Sequence, residues 1–226
     1  MLSKIYLAEE RHDFLHQLRK RPFVRPCLSF AVPAALPGLY RAPGLRCPDL
    51  QRQEYDQYDT PASHYLVYHT PDGRALGVSR LTPTVQGCML KDLWPDMVED
   101  KALLSSAQVW EGTRYCIDKD AAPALRTRII HEMAIAYLEF GLQLGLKKII
   151  GMMPTYIYRS VFEKPGIEME YLGPVTVIGR HRIRAVAIPV DRKQLHNVRT
   201  KTGIGRAVLT FLPAVQEEGS FYDQAA

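Results

Sequence analysis

Cysteine is scarce in this chain of 226 residues: Cys27, Cys47, Cys88 and Cys116 are the only four, and no two form a C-x-x-C pair. That argues against a zinc knuckle or a disulfide scaffold and leaves buried or idle thiols. Long hydrophobic runs are also missing. The longest nearly uncharged stretch, residues 28–40, contains Pro33 and Pro37. It falls short of the roughly 20 apolar residues that a spanning helix needs, so no membrane partner is expected. Near the N-terminus Glu9, Glu10 and Arg11 stand where a signal peptide would keep its apolar run. The expected location is therefore cytoplasmic. No dense Lys/Arg run with interleaved aromatics is present, which gives no support to a nucleic-acid partner. There is no internal repeat and no low-complexity tract.

What remains is ordinary globular composition, 46% apolar and 23% charged. The length suits one domain with a substantial core. The formal charge of +5 favours an acidic partner without naming it. Residues 8–20 set Leu15 and Leu18 among charges and read as a short amphipathic helix. Residues 31–49 hold Pro33, Pro37, Gly38, Pro43, Gly44 and Pro48, a density of breakers that predicts a long irregular loop. Beyond Ser63 the pattern becomes regular. His64–His69 and Ala75–Leu81 read as paired strands around the turn Pro71-Asp72-Gly73, and Val109–Ile117 as a further strand. Pro123 suits the first position of a helix running to Gly145, with Leu125, Ile129, Met133, Tyr137, Phe140 and Leu144 on one stripe. Strand Lys147–Met153, helix Thr155–Glu163 and strands Val175–Ile178 and Arg184–Val190 follow. This alternation implies an α/β sandwich.

Three clusters carry chemistry. Glu54-Tyr55-Asp56-Gln57-Tyr58-Asp59-Thr60 places three carboxylates in six residues, suited either to capturing a cation or to a solvated acidic turn. Arg80, in Ser79-Arg80-Leu81-Thr82-Pro83-Thr84, lies inside an apolar strand pattern, where a charge seldom goes unpaired. A structural salt bridge and a functional role both fit it. In Trp110-Glu111-Gly112-Thr113-Arg114-Tyr115, strand alternation puts Glu111, Thr113 and Tyr115 on one face and Trp110 and Arg114 on the other. A bulge at Gly112 would bring Glu111 and Arg114 together. Glu111 is then a candidate general base or half of a cross-strand ion pair, while Trp110 and Tyr115 are expected to pack. A Q/R-x-x-G-x-G/A pyrophosphate loop is lacking. The sole G-x-G, Gly203-Ile204-Gly205, has Thr200 where Arg or Gln should stand and lies near the C-terminus.

In order and spacing these clusters resemble the acyl-homoserine lactone synthases, the autoinducer synthases. That family shows an acidic E-x-D stretch, an R-L-x-P-T strand and a W-E-x-[ST]-R-[FY] strand. The resemblance covers roughly residues 53–204. It implies a three-layer α/β sandwich with the mixed, twisted sheet of the N-acetyltransferases and a V-shaped cleft between two central strands. It also implies transfer of an acyl group from acyl carrier protein or acyl-CoA to the amine of S-adenosylmethionine, then lactonisation with release of methylthioadenosine. S-adenosylmethionine is a substrate there, and no cofactor or metal is needed. A single domain spanning 1–226 is expected, with a mobile N-terminal segment (about 19–55) and a disordered tail (about 214–226).

Carried over residue by residue, the catalytic set is Glu111, Asp56, Asp59, Arg80 and Arg114. Asp56 and Asp59 would fix S-adenosylmethionine, and Glu111 would take its amine proton. Arg19 and Phe23 supply the family's Arg-x-x-x-Phe pair over that substrate, with Phe30 near the place of its usual Trp. Thr113, Gly151, Met152, Met153 and Phe162 would bind the acyl donor. Gly151 falls near a position where many members carry a Thr associated with 3-oxo chains, which points to an unsubstituted acyl group. Lys147, Lys148, Arg180, Arg182 and Arg184 are the expected docking face for an acidic carrier. An acetyl-CoA-type N-acetyltransferase and a non-catalytic S-adenosylmethionine-binding relative are the alternatives.

Overall fold

The computed structural model describes residues 56–70 and 75–210 with their side chains, and residues 4–9, 28–29 and 211 by backbone alone. The proline-rich loop, the turn at 71–73, the tail, and Arg19, Phe23 and Phe30 lie outside the described residues. The strands are β1 (Lys4–Glu9), β2 (Leu28–Ser29), β3 (His64–His69), β4 (Ala75–Pro83), β5 (Val109–Ile117), β6 (Lys148–Pro154), β7 (Glu170–Tyr171), β8 (Thr176–Ile178), β9 (His181–Pro189) and β10 (Leu209–Phe211). Among the described residues the helices are α1 (Met89–Leu93), α2 (Pro123–Gln143), α3 (Thr155–Tyr158) and α4 (Arg192–Thr202). β1 occupies the start of the stretch read as an amphipathic helix from residue 8, which corrects that boundary. The rest of that stretch is outside the described residues.

One mixed sheet runs β10-β1-β3-β4-β5-β6-β9-β7, with β8 on β9 and β2 on β5. α2 connects β5 to β6, which run parallel, as a crossover of this length allows. Two apolar layers flank the sheet. On one face α2 packs Ile129, Met133 and Phe140 against Leu66, Trp110 and Ile149, and Val198 of α4 joins them. On the other, Leu90 of α1 with Met97 and Leu104 from two 3₁₀ turns cover Val109, Ile150 and Ile183. Consecutive residues Ile149 and Ile150 thus serve opposite layers, as strand alternation requires. This is the expected three-layer arrangement. Among the described residues no helix is long and apolar enough to cross a membrane.

α2 starts at Pro123, whose missing N–H costs nothing in the first turn. It ends on Gly145 at φ 67°, with Gly145 N–H donating to Leu142 O and Leu146 N–H to Gly141 O. Glycine adopts this left-handed conformation without the Cβ penalty, and the two bonds close the last turn. Leu144, read as part of the buried stripe, is instead 44% exposed at this cap. After α3 the helix continues as a π turn over Arg159–Glu163, where Lys164 N–H reaches back five residues to Arg159 O at 2.8 Å.

The parting of β5 and β6 positions the site. Their pairing runs Val109–Lys148, Trp110–Ile149 and Glu111–Ile150, and stops there. β5 continues beside β4 as far as Ile117, whereas β6 stays with β9 as far as Pro154. The central strands therefore diverge beyond Glu111. Leu28 and Ser29 pair with Ile117 and Cys116 on the β5 edge that β6 has left.

Candidate active site

The acidic segment forms a turn that feeds into β3. Tyr58 N–H donates to Asp56 Oδ1 at 2.8 Å, and Asp56 N–H donates to Asp59 Oδ2 at 2.7 Å. Such side-chain-to-backbone bonds are what Asp offers a turn. Both carboxylates face Arg80 of β4, whose side chain is fully buried. Arg80 Nη1 donates to Asp56 Oδ1 and Asp59 Oδ1, each at 2.6 Å, and Nη2 reaches Asp56 Oδ2 at 3.3 Å. Its Nε donates to Thr113 Oγ1 at 2.9 Å. Arg114 Nη2 donates to Asp56 Oδ2 at 2.8 Å and lies 3.7 Å from Asp59 Oδ2. Tyr65 hydroxyl donates to Asp59 Oδ1. All four carboxylate oxygens are thus engaged within the protein. Two guanidinium groups neutralise two carboxylates in a closed ion-pair network. Burial would raise the Asp56 carboxyl. Its hydrogen bonds with Arg80 and the charges of Arg80 and Arg114 outweigh that and hold it below its usual range.

Arg114 reaches this network through a bulge. Val78 pairs with Cys116 and Arg80 with Thr113, so the single residue Ser79 spans both Arg114 and Tyr115. Arg114 takes φ 50°, the one positive φ among the described non-glycine residues. A left-handed residue costs about 1–2 kcal/mol, a strain the three-way contact with Asp56 and Asp59 offsets. The extra residue changes the faces beyond it. Arg114 joins Glu111 and Thr113 on the side of the ion-pair network. Tyr115 turns to the α2 side, its ring 6.2 Å from Tyr137 and 5.9 Å from Phe162. The bulge therefore lies at Arg114, not Gly112, and the assignment of Tyr115 to the Glu111 face is corrected.

Glu111 is 3% exposed and lies at the last paired position before the strands diverge. Oε2 accepts from Met89 N–H at 2.6 Å and Oε1 from Leu90 N–H at 2.9 Å, both at the start of α1. Burial lifts its carboxyl from an ordinary 4.5 to about 7, against the opposing effect of those two amides and of Arg80. A carboxylate titrating there is available both to take and to return a proton at neutral pH. The neighbouring Cys88 thiol is pushed up to about 12, first by burial and then by the Glu111 charge. It is not a nucleophile at neutral pH.

The divergent strands enclose a cleft of about 50 Å³ lined by Gly112, Thr113, Arg114, Tyr115, Tyr137, Gly151, Met152, Met153 and Phe162, among others. Thr113, Gly151, Met152, Met153 and Phe162 are thereby brought together as expected. Its narrow shape suits a thin, extended chain rather than a broad ring. Two glycines set the width at its apex. A Cβ on Gly151 would stand 2.8 Å from Gly112 O, and one on Gly112 would stand 3.0 Å from Tyr137 Oη. A larger cavity of about 360 Å³, lined by Leu142, Arg192, Leu195, His196 and Arg199, lies between α2 and α4. It holds none of the groups described above, so the narrower cleft is the candidate site.

The expected basic docking face does not form as one patch. Lys148 pairs with Pro189 at one end of β6, whereas Arg184 pairs with Met153 at the other. The two positions lie five residue steps apart along the strand, about 17 Å. Lys148 is also bonded to Glu170, and Arg184 stacks 3.8 Å over the Tyr171 ring while its Nε donates to Gly173 O. Arg180 and Arg182 are exposed near the β8–β9 turn. Among the described residues no group of three or more His, Cys, Asp or Glu side chains could hold a metal ion. Sequence reasoning missed Tyr65, the amides of Met89 and Leu90, and the Tyr137–Ser79 contact. Tyr65 carried one signal, a polar hydroxyl on the strand that follows the acidic turn.

Residues 49–198 match the profile of the family described as "Autoinducer synthase". The acyl-homoserine-lactone synthase of Ralstonia nicotianae is 30% identical over 144 residues, 62% of this chain and 70% of that protein. That of Aeromonas salmonicida is 27% identical over 138 residues, 60% of this chain and 66% of the relative. Solved structures share the fold at lower identity. The CoA-dependent acyl-homoserine lactone synthase MesI aligns with TM-score 0.69 at 20% identity, covering 91% of this chain and 98% of that one. LasI, described as an AHL synthase, aligns with TM-score 0.63 at 19% identity, covering 88% and 94%.

Proposed function

This chain belongs to the autoinducer synthase family, a family of acyltransferases, and from that footing we propose that it makes an acyl-homoserine lactone from an acyl thioester and S-adenosylmethionine. The observation that carries this reading is Glu111. It is a buried carboxylate titrating near 7, set where β5 and β6 part and on the same face as the Arg80–Asp56–Asp59–Arg114 network.

The pantetheine arm of the donor lies along the open edges of the diverging strands, whose unpaired amides and carbonyls can bond its own amides. The acyl chain enters the cleft between Gly112 and Gly151 and passes Met152, Met153 and Phe162. An α-amine titrates at about 7.7–8.0, and the nearby sulfonium favours its neutral form further. The amine attacks the thioester carbonyl, the C–N bond forms, and the C–S bond breaks with departure of the thiolate. Glu111, directly or through one water, takes the amine proton and can return it to the leaving sulfur. The substrate carboxylate then displaces methylthioadenosine from the γ-carbon and closes the lactone. Asp56 and Asp59 act as positioning residues that hold the two guanidinium groups. Arg114, with 23% of its side chain exposed, presents the face that meets the substrate carboxylate. Arg19, Phe23 and Phe30 are proposed to cover S-adenosylmethionine from the N-terminal segment. Acyl carrier protein and coenzyme A both supply the required thioester, and no resident cofactor enters these steps.

The test is to incubate the purified protein with S-adenosylmethionine and an acyl-thioester panel, following free thiol and methylthioadenosine together. One-to-one release with a homoserine lactone detected by mass spectrometry is expected. Thiol release without methylthioadenosine would instead indicate a simple N-acyltransferase. Binding of S-adenosylmethionine with neither product would indicate a non-catalytic relative.

A further inference from the structure

The cleft carries a buried hydroxyl that packing does not explain. Tyr115 is 5% exposed, and its ring fills the angle between Tyr137 and Phe162. A phenylalanine would make the same edge-on contacts. The Tyr115 hydroxyl is sealed from water and has no hydrogen-bond partner among the described residues. The adjacent Tyr137 hydroxyl is committed to Ser79 Oγ, which itself donates to Thr113 O at 3.0 Å. Ile149, Val186 and Ile188 of the surrounding walls offer no side-chain acceptor. An unpaired phenol in an apolar seam carries a desolvation cost that a phenylalanine would avoid. A ligand atom that accepts its proton removes that cost.

We propose that the acyl group transferred by this protein bears an oxygen, such as a keto or hydroxyl oxygen, that accepts a hydrogen bond from Tyr115. This rests on the acyl-transfer reading above and narrows its substrate class. It also replaces the expectation, drawn from the missing hydroxyl at Gly151, of an unsubstituted chain. The 2.8 Å approach of Gly112 O to a Cβ at that position explains the glycine sterically, whatever the acyl group. Tyr115 is then the specificity-determining residue. The bulge at Arg114 matters twice, since regular alternation would turn Tyr115 away from the seam.

The experiment compares kcat/KM for chain-matched donors, oxygen-bearing (3-oxo and 3-hydroxy acyl thioesters) against unsubstituted, in the wild type and in Tyr115→Phe. The wild type should favour one oxygen-bearing donor by tenfold or more, on the order of the discrimination one unpaired buried group supplies. In Tyr115→Phe that ratio should collapse toward one. Equal use of matched donors by the wild type, a result independent of the variant's folding, would overturn the proposal. So would a uniform loss across all donors in Tyr115→Phe, which would mean that Tyr115 bonds the pantetheine arm. Formation of no lactone from any donor would remove the reading beneath it as well, and is told apart from the other two results by the absence of product.

Discussion

Replacing Glu111 by glutamine separates two consequences of its burial, one catalytic and one thermodynamic. The lift of its carboxyl from 4.5 to about 7 corresponds to roughly 3 kcal/mol at about 1.4 kcal/mol per pH unit. The folded protein keeps this proton up to about pH 7, while the unfolded chain gives it up near 4.5. Unfolding between those values therefore releases a proton, and stability falls as pH rises through the window. Above about pH 7 both states are ionised and the decline ends. Glutamine has no such titration, so the wild type should lose roughly 3 kcal/mol relative to Glu111→Gln across the window. Most of that loss falls between pH 4.5 and about 7. Urea unfolding at a series of pH values measures it directly. Catalysis should respond in the opposite sense, because in the proposed reaction it is the ionised form that takes the proton. Below pH 7 the logarithm of kcat/KM for S-adenosylmethionine should rise with a slope of two in the wild type, one proton from Glu111 and one from the substrate amine. The variant should keep a slope of one, at a rate about 10²–10⁴-fold lower. A stability gap flat with pH, together with an acid limb centred near 4.5, would refute the reasoning.

The ion-pair network makes a second prediction. Arg80→Met strands Asp56 and Asp59 with Arg114 as their remaining cation and should cost about 3–5 kcal/mol in chemical denaturation, whereas a loss under 1 kcal/mol would mean the network is solvated. Gly151→Ala brings a Cβ to 2.8 Å from Gly112 O and should force the strands apart. We expect about 1–3 kcal/mol of destabilisation and a raised KM for the acyl donor, with KM for S-adenosylmethionine changing least. Because Lys148 and Arg184 are engaged elsewhere, KM for acyl carrier protein should rise only shallowly between 50 mM and 300 mM salt. A steep rise would restore a coherent basic docking face.

Much of this arrangement was legible where local chemistry and global fold agree. β3 and β5 match the expected bounds, because β-branched and aromatic residues alternate there between turn signals. α2 begins at the proline that marks its first turn. α4 was not foreseen: over Arg192–Thr202 only Leu195 and Val198 are apolar, too few to draw a stripe. It is held instead by Asp191 capping Gln194 N–H, and by the buried Gln194 side chain, which bonds Pro189 O and Glu168 N–H. At the site, the segments expected to converge do so, but the bulge was assigned to the wrong residue. Gly112 looked like the irregular position because glycine permits one, yet it lies in regular register and serves the close approach of Tyr137. Arg114 takes the left-handed conformation because Asp56 and Asp59 hold its head group, a tertiary cause that no local pattern encodes. The full set of partners around the two carboxylates was likewise beyond a local pattern, since Arg80, Arg114 and Tyr65 come from different strands.

The π turn at Arg159–Glu163 has a consequence for how such a cleft diversifies. A π turn is an α-helix carrying one surplus residue, and each helical residue advances the next by about 100°. Removing one residue upstream of Phe162 would restore an ordinary helix and rotate a different side chain into the seam, leaving the neighbouring strands in register. A lineage can therefore exchange the wall facing Tyr115 by a three-nucleotide deletion, without altering Glu111 or the arginines.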